Sequence, residues 1–169
     1  MQSLPVGKGV YALVDDEDFE RVRHLSWRAS ARRQRFGVHQ YVQRTVRVDD
    51  HRTTEYLHRL IVNAMPGDYV DHINGDTLDC RKVNLRICTH SQNLANTKRF
   101  RSSRNPYKGI WMRDGCRWCA GIRSNGKKIY LGSFLTPEDA AIAYDEAARM
   151  FHGEFARVNF PRSGERAAN

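Results

Sequence analysis

The sequence predicts an α+β protein, and two ordered patterns of strands and helices support that fold class. Residues 69–97 follow the order strand, loop, strand, helix, with "YVDHI" and "NLRIC" as the strands and the helix opening at Ser91. Residues 107–153 then give three strand-like pieces, joined at the turns "RDG" and "SNGK", and one helical segment. These patterns predict a ββα segment and a three-stranded antiparallel sheet packed on one helix.

The segment from 107 to 153 carries clear signals for where its helix begins and ends. Thr136 is a good N-cap, Pro137 stands at the first helical position, and Asp139 completes the capping pattern. Gly153 ends the helix. One apolar stripe is expected to face the sheet, formed by Ala140, Tyr144, Ala147, Ala148 and Phe151.

The positive charge of the chain is unevenly distributed. Among 169 residues, 28 Lys and Arg outnumber 19 Asp and Glu, which gives a formal net charge of +9. Residues 98–128 carry ten basic side chains against one acid, Asp114, whereas residues 136–149 carry four acids and one Arg. A solvated basic face needs no such imbalance, so we expect a polyanionic partner and favour nucleic acid.

Two classes of protein are disfavoured by the pattern of apolar residues. No stretch approaches the roughly 18 apolar residues that a membrane helix needs. The first residues, "MQSLPVGKGVYALV", lack the apolar stretch of a signal peptide. We therefore expect no membrane association and a cytoplasmic protein that is not secreted.

The four cysteines give only a weak signal for zinc. Cys116 and Cys119 have zinc-knuckle spacing, but Cys119 falls in an alternating strand pattern and faces away from its neighbours. Cys80 and Cys88 are eight positions apart, which is too far for the usual knuckle. An intracellular setting also disfavours disulfides. We do not expect zinc.

Changes in composition divide the chain into five segments. Residues 1–55 are strand-rich, with a helical turn at "DDEDFERVRHL". Residues 56–98 open with a helix on which Leu57, Leu60, Ile61 and Ala64 share one face, and they contain the ββα pattern. Residues 99–106 form a basic linker of the kind that lies along phosphates, 107–161 form the sheet and helix, and 162–169 form a flexible tail.

Polar residues cluster around the end of the strand "YVDHI". Asp71 and the amide of Asn93 supply hard oxygen ligands, which suit Mg²⁺ rather than zinc or copper. A histidine side chain has an ordinary pKa of about 6.5, so His72 is suited to accept a proton from water. A hard metal, a neutral base and a basic groove match hydrolysis of a phosphodiester. The alternative is a turn with a satisfied histidine, which we assign to His24, His39, His51, His90 and His152.

The stretch "LHRLI…VDHINGDTLDCRKVNLRICTHSQN" resembles the ββα-metal nuclease motif of HNH homing endonucleases, in its His-Asn-Asn version. The resemblance implies His72 as general base and Asp71 and Asn93 as metal ligands. It gives Asn84 a structural role at the catalytic loop, which Asn84 would hold by hydrogen bonds. Cys80 departs from the family pattern, in which Asn is usual. The candidate phosphate contacts are His58, Arg86, Lys98, Arg99, Arg101 and Arg104.

The stretch from "YKGI" to the closing "NF" resembles the AP-two, or ethylene-response-factor, DNA-binding domain. The resemblance implies a three-stranded sheet that enters the major groove while the helix supports it from behind. Trp111 and Gly121 stand where plant members tend to carry Arg and Glu, so the plant target sequence is not expected here. The matching DNA-binding positions are Lys108, Arg113, Arg123, Lys128 and Tyr130.

These features together predict a sequence-directed DNA endonuclease of homing type. We expect Mg²⁺ or Mn²⁺ as cofactor, double-stranded DNA as partner, and a monomer without an obligate protein partner. The host would be a bacterial cell if a phage encodes the protein. Two alternatives stay open, a DNA-binding regulator with an inactive nuclease fold and an RNA-binding protein, which should prefer RNA.

Overall fold

The computed structural model describes residues 1–34, 37–99 and 105–168. It describes the side chains of these residues except for those in 32–39. The fold is α+β, as the sequence predicts, and the sheets are antiparallel except for one pair of short strands near the C-terminus. It divides into two compact units, Met1–Thr89 and His90–Asn169, and each is described separately below. Within the described ranges, no helix is long and apolar enough to cross a membrane.

The described residues of the first unit form three antiparallel sheets. Strands β1 (Gln2–Pro5) and β2 (Tyr11–Val14) form a hairpin, followed by helix α1 (Asp16–Val22). The second sheet has the order β3 (Arg28–Gln34), β4 (Gly37–Val48) and β5 (His51–Tyr56). Helix α2 (Leu57–Ile61) leads to β6 (Tyr69–His72), which pairs with β7 (Leu85–Cys88) after a 3₁₀ turn at Lys82–Asn84.

Side chains from the predicted segments 1–55 and 56–98 share one hydrophobic core. The fully buried members include Leu4, Val14 and Val22 from the first segment and Leu57 and Ile61 from the second. The first segment is therefore part of the fold that carries β6 and β7, because its apolar side chains have no separate core to fill.

Helix α2 is shorter than the predicted helix that ran to Ala64. It ends at Ile61, and Asn63 adopts a left-handed backbone conformation with φ of 51°. The carbonyl groups of Met65 and Asp68 accept hydrogen bonds from the Arg59 guanidinium at 2.7 and 2.6 Å, which fixes the turn that follows.

The second unit begins with helix α3 (His90–Ala95) and contains the predicted three-stranded sheet. Its order is β10 (Lys127–Phe134), β9 (Arg117–Ser124) and β8 (Ile110–Arg113), and helix α4 (Pro137–His152) packs on it. The Thr136 hydroxyl accepts a hydrogen bond from the Asp139 amide at 3.1 Å, which confirms the predicted N-cap. Phe151 is an exception to the predicted stripe, because 43% of its surface is exposed.

The flexible tail predicted for 162–169 is wrong for the residues the structure describes. Strand β12 (Arg166–Ala167) pairs in parallel with β11 (Arg157–Val158), which follows a 3₁₀ turn at Gly153–Phe155. Glu165 forms an ion pair with Arg149 of α4 at 2.7 Å, and Ala168 is fully buried. Sequence composition gave no sign of these contacts, because each joins residues that are distant along the chain.

Candidate active site and nucleic-acid interface

Asp71 and His72 occupy the end of β6, where the register pairs them with Arg86 and Leu85 of β7. Both side chains are 95% buried, since only 5% of each residue is exposed. Neighbouring residues of a strand point to opposite faces. The pair therefore places a carboxylate and an imidazole on the two sides of one strand end.

Asn84 holds the loop that follows His72. Its side-chain oxygen accepts a hydrogen bond from the Asn74 amide at 2.9 Å, and its side-chain nitrogen donates to the Asp79 carbonyl at 2.8 Å. Its own carbonyl accepts from the Ile73 amide at 2.8 Å, and the His72 carbonyl accepts from Gly75 at 2.8 Å. These bonds fix the loop between His72 and Asn84, and the role of Asn84 at a catalytic site stays a prediction.

Asp79 is a second anchor of this loop, and the sequence did not single it out. Its carboxylate accepts two hydrogen bonds from the Arg81 guanidinium, at 2.7 and 2.6 Å, and one from the Asn74 side-chain amide at 3.0 Å. The Arg81 guanidinium lowers the pKa of Asp79 below its ordinary value. The loop also joins β2, because the Cys80 amide donates to the Leu13 carbonyl at 2.9 Å and Leu13 donates to Leu78 at 2.9 Å.

Cys80, the departure from the family pattern, is buried inside this loop. Its thiol lies 3.9 Å from the Thr77 carbonyl, and burial raises the thiol pKa to about 12. A thiol with this pKa stays protonated near neutral pH, so Cys80 acts here as a small apolar residue with a weak donor.

Arg86 has a different partner from the phosphate that the sequence suggested. Its Nε and one terminal nitrogen donate to Oδ2 of Asp71 at 3.0 and 2.8 Å. The two side chains are only 12% and 6% exposed. A pair this buried is screened little by solvent, and it brings a positive charge directly to the predicted metal ligand.

His58 is not on the surface, where a phosphate contact would require it. Only 8% of the residue is exposed, and its Nδ1 has no hydrogen-bond partner among the described residues. Its ring centroid lies 5.0 Å from that of His72, 5.7 Å from Tyr41 and 5.6 Å from Tyr56. Burial, with a smaller effect of His72, lowers the pKa of His58 to about 3.

The predicted metal ligands fall in the two different units. Asp71 lies at the end of β6 and Asn93 on α3. Within the described residues, no group of three or more His, Cys, Asp or Glu side chains is placed to hold a metal ion. The carboxylate and amide oxygens of Asp71 and Asn93 are the donor types that a hard divalent cation prefers.

The exposed face of the second unit's sheet carries alternating cationic and aromatic side chains. The Lys128 ammonium lies 4.4 Å from the centre of the Trp111 ring, and the Arg113 guanidinium lies 5.5 Å from that of Tyr130. The Trp111 and Tyr130 rings are 6.3 Å apart. Four of the predicted DNA-binding residues on this sheet have exposed side chains: Arg113, Arg123, Lys128 and Tyr130.

Gly121 and Trp111 fit together on this face. A Cβ atom at Gly121 would lie 3.0 Å from the Trp111 ring and 3.1 Å from the Ile129 carbonyl. A side chain at position 121 would therefore require the Trp111 ring to shift by a few tenths of an ångström. The two departures from the plant pattern are physically linked, because the ring occupies the space that a side chain at 121 would need.

Lys108 is not part of the exposed cationic face. Its ammonium donates to the carbonyl groups of Ala95 and Thr97 at 2.8 and 2.7 Å, at the end of α3. Burial is the main cause that lowers the pKa of Lys108 to about 7. The predicted DNA contact is therefore corrected to a role in holding α3 within the second unit.

The structure describes only some of the basic residues that were predicted to lie along phosphates. Lys98 is exposed, and Arg99 donates from its guanidinium to the Asn105 carbonyl at 3.0 Å. The Arg99 amide also donates to the Ala168 carbonyl at 2.8 Å. Arg101 and Arg104 lie outside the described residues.

The fold and site define a chain with a ββα nuclease-type segment and a separate sheet-and-helix domain with a basic face. Residues 55–95 match the family model described as HNH endonuclease. The C-terminal region is similar to AP-two/ethylene-response-factor proteins. The chain thus combines a segment that matches the HNH endonuclease family with a C-terminal region similar to AP-two/ethylene-response-factor proteins, the two resemblances that the sequence predicts.

Several plant proteins share the C-terminal similarity. Dehydration-responsive element-binding protein 2A of Arabidopsis thaliana is 45% identical over 64 residues, which is 37% of this chain and 19% of that protein. Ethylene-responsive transcription factor ERF010 of the same plant is 52% identical over 58 residues, 33% of this chain and 32% of that protein. Dehydration-responsive element-binding protein 2A of Oryza sativa subsp. indica is 50% identical over 56 residues, which is 32% of this chain and 20% of that protein. The matches thus cover at most about a third of these relatives.

Proposed function

We propose that this protein is a DNA endonuclease that hydrolyses phosphodiester bonds with a divalent metal and a histidine base. The observation that carries the proposal is the buried Asp71-His72 pair at the end of β6, inside the segment that matches the HNH endonuclease family. Buried ionisable groups cluster at functional sites, and both Asp71 and His72 are buried here. A buried carboxylate is costly without a partner, and Arg86 is such a partner for Asp71.

His72 acts as the general base in this proposal. A neutral imidazole takes a proton from the attacking water, and the water oxygen then forms the new bond to phosphorus while the bond to the leaving oxygen breaks. The loop from 73 to 82, held by Asn84 and Asp79, keeps the His72 backbone fixed. A fixed base saves the entropy of positioning it at each turnover.

Asp71 and Asn93 are the proposed ligands of the metal, with Mg²⁺ or Mn²⁺ as the ion. The hard oxygen donors fit such an ion, which when bound would neutralise charge on the scissile phosphate and the leaving oxygen. Arg86 holds the Asp71 carboxylate at 2.8 Å and would contribute further positive charge near the phosphate. Zinc is not part of the proposal.

The exposed face of β8, β9 and β10 is the proposed binding surface for double-stranded DNA. Arg113, Arg123 and Lys128 supply positive charge, and Tyr130 supplies an aromatic surface. One metal and one base cut any phosphodiester alike, so site preference of the homing type would come from this sheet. If the linker and sheet neutralise about six phosphates, the log-log salt slope of the affinity should be near −5.

Cleavage of plasmid and random duplex DNA tests the nuclease directly. The wild type is compared with His72→Ala in Mg²⁺, in Mn²⁺ and in EDTA, with His24→Ala as a matched control because His24 is exposed. We expect metal-dependent cleavage that His24→Ala keeps and His72→Ala loses. Cleavage that persists in His72→Ala, or in EDTA, would refute the assigned roles. A nicked plasmid product indicates that one strand is cut, and a linear product indicates that both are cut.

A second candidate, a DNA-binding regulator with a silent nuclease segment, is favoured by one observation. Arg86 already neutralises Asp71 with two hydrogen bonds, and this ion pair competes with a metal for the same carboxylate. A silent protein would bind duplex DNA with the expected salt slope and show no turnover with any divalent ion. Turnover by the wild type would exclude this candidate.

A further inference from the structure

A cavity of about 270 Å³ opens in the first unit beside His58, and the nuclease mechanism does not use it. We call it the tyrosine cavity. It holds the space of about nine water molecules at roughly 30 Å³ each. A single nucleobase has a similar number of non-hydrogen atoms, whereas a base pair is far larger. Its lining consists of Tyr41, Tyr56, His58, Arg59, Asp68, Tyr69 and Val70.

The walls of the tyrosine cavity are mainly aromatic rings. Tyr41 and Tyr56 meet edge to face, with centroids 6.2 Å apart and an interplanar angle of 81°. Both rings also contact His58, at 5.7 and 5.6 Å. Aromatic side chains stack on any base because every base has a flat π-face. The shape and chemistry of these walls therefore suit a planar heterocycle.

The polar groups in the lining argue against a phosphate as the occupant. The Arg59 guanidinium donates to the carbonyl groups of Asp68 and Met65, at 2.6 and 2.7 Å, so it is already bound to the backbone of the turn after α2. The Asp68 carboxylate accepts from the Met65 amide at 2.7 Å and adds negative charge to the lining. His58 stays neutral near pH 7, because burial lowers its pKa to about 3. A neutral base fits this lining better than an anion.

The cavity is connected to the proposed general base through ring contacts. The His58 ring lies between the cavity and His72, 5.0 Å from the His72 ring, and Tyr41 is 6.4 Å from that ring. Tyr69, which is 43% exposed, stands two residues before Asp71 on β6 and so shares its face of the strand. A nucleotide held in the cavity would be close to a phosphate held at the end of β6.

We propose that the tyrosine cavity binds one unstacked nucleobase of the DNA strand to be cut. The inference rests on the proposed nuclease function, and it names a second contact of the first unit with the substrate. Holding a base out of the stack costs least where the base is unpaired. The protein should therefore bind a single-stranded or mispaired segment more tightly than a fully paired one through this unit.

Photochemical cross-linking with the full chain tests the cavity without requiring cleavage. The probe is a short single-stranded thymidine oligomer with one central 5-iodouracil, mixed with the protein in EDTA, irradiated and mapped by mass spectrometry. 5-Iodouracil labels an aromatic ring on which it stacks. We expect label on a peptide that contains Tyr41, Tyr56 or Tyr69. Label confined to other peptides, such as that of Trp111 and Tyr130, or no label at all, would overturn the proposal.

Three variants separate stacking from a change in fold. Tyr69→Ala should bind the oligomer about tenfold more weakly and lose most of the label, because it removes a stacking surface. Tyr69→Phe should keep both the affinity and the label of the wild type, since stacking needs only the aromatic ring. Tyr11→Ala, which removes a 57% exposed tyrosine of β2 that does not line the cavity, should also keep both. Equal labelling of Tyr69→Ala and wild type would overturn the proposal.

The outcomes keep this inference apart from the proposed function. If the cavity is labelled but the protein never cuts DNA, the base-binding site is supported and the proposed nuclease function is refuted. Metal-dependent cutting without label in the cavity would keep the nuclease and remove the base site.

Discussion

Arg86 and Asp71 form a buried ion pair across β6 and β7, with Arg86 donating two hydrogen bonds to one carboxylate oxygen, at 3.0 and 2.8 Å. The pair joins the residue proposed to bind a metal to the residue proposed to stabilise phosphate charge. A metal bound by Asp71 would share this carboxylate with the guanidinium. In the proposed nuclease, Arg86 would offset part of the Asp71 charge and hold the carboxylate in place before a metal binds.

Removing Arg86 should make the protein less stable and its stability more dependent on metal. Arg86→Met leaves the Asp71 carboxylate buried without its charged partner, which typically costs about 3–5 kcal/mol. A divalent ion at Asp71 restores part of this loss, because a ligand that binds only the folded state stabilises it. The measurement is Tm against Mn²⁺ concentration, and we expect a larger rise for Arg86→Met than for the wild type.

Arg47→Met is the matched control for this experiment. Arg47 pairs with Asp50 at 3.0 Å, but the two side chains are 73% and 91% exposed, so the loss should stay below about 1 kcal/mol. The expectation fails if Arg86→Met is as stable as Arg47→Met. It fails equally if Mn²⁺ shifts the Tm of Arg86→Met no more than that of the wild type.

His58 should make the stability of the protein fall between neutral and mildly acidic pH. The pKa of His58 is about 3 in the folded state, below the ordinary histidine value of about 6.5. The unfolded chain therefore binds the extra proton first as the pH falls. The stabilisation is complete well above pH 6.5 and is lost as the pH falls toward 3, by about 1.6 kcal/mol between pH 6.5 and 5.

Urea unfolding at these two pH values measures the effect of His58. His58→Phe keeps an aromatic ring in the buried position and removes the titrating group, so its stability should change less with pH than that of the wild type. His24→Ala, which removes an exposed histidine, should behave like the wild type. An unchanged pH dependence in His58→Phe would show that another group is responsible.

The sequence predicted the elements of the second unit well because their signals are local. Asn125-Gly126 forms the turn between β9 and β10, with φ of 49° and 76°, and Thr136 caps α4. Such signals depend on residues only a few positions apart. The end of α2 was predicted less well, because Asn63 leaves the helix in a conformation that the pattern of apolar residues does not indicate.

The sequence indicated residues for the candidate site but not the contacts that those residues make. The motif indicated Asp71 and His72, and both are buried together at one strand end. Two findings depend on contacts between residues that are distant along the chain. Arg86 pairs with Asp71, and Lys108 turns away from the exposed face. A basic residue has the same appearance in a sequence whether it binds phosphate, a carboxylate or a carbonyl group.

Asn84 should contribute to stability as well as to catalysis. Asn84→Ala removes the side-chain bonds to Asn74 and Asp79, at 2.9 and 2.8 Å, and takes away the partners of a part-buried amide and a buried carbonyl. The expected loss is about 2–3 kcal/mol in the free energy of unfolding, since each unsatisfied buried group costs about 1–3 kcal/mol. Chemical denaturation measures the loss, and cleavage should fall with it because the loop after His72 loosens.

The control for Asn84 is another side-chain amide with a weaker role. Gln2 donates to Asp16 at 2.9 Å on the exposed surface, so Gln2→Ala should cost about 0.5 kcal/mol or less. The assigned role of Asn84 is refuted if Asn84→Ala is no less stable than Gln2→Ala.

Lys108 and Arg123 should respond differently to salt although both were predicted to contact DNA. Arg123 is exposed on β9, so Arg123→Met should reduce the magnitude of the log-log salt slope by about one. Lys108 donates to Ala95 and Thr97 inside the second unit, so Lys108→Met should leave the slope unchanged and lower Tm instead. Fluorescence anisotropy across a salt series, with thermal unfolding of each variant, separates the two effects. A slope that falls equally in both variants would return Lys108 to the DNA-binding face, because only a residue that displaces counterions from phosphate changes the slope.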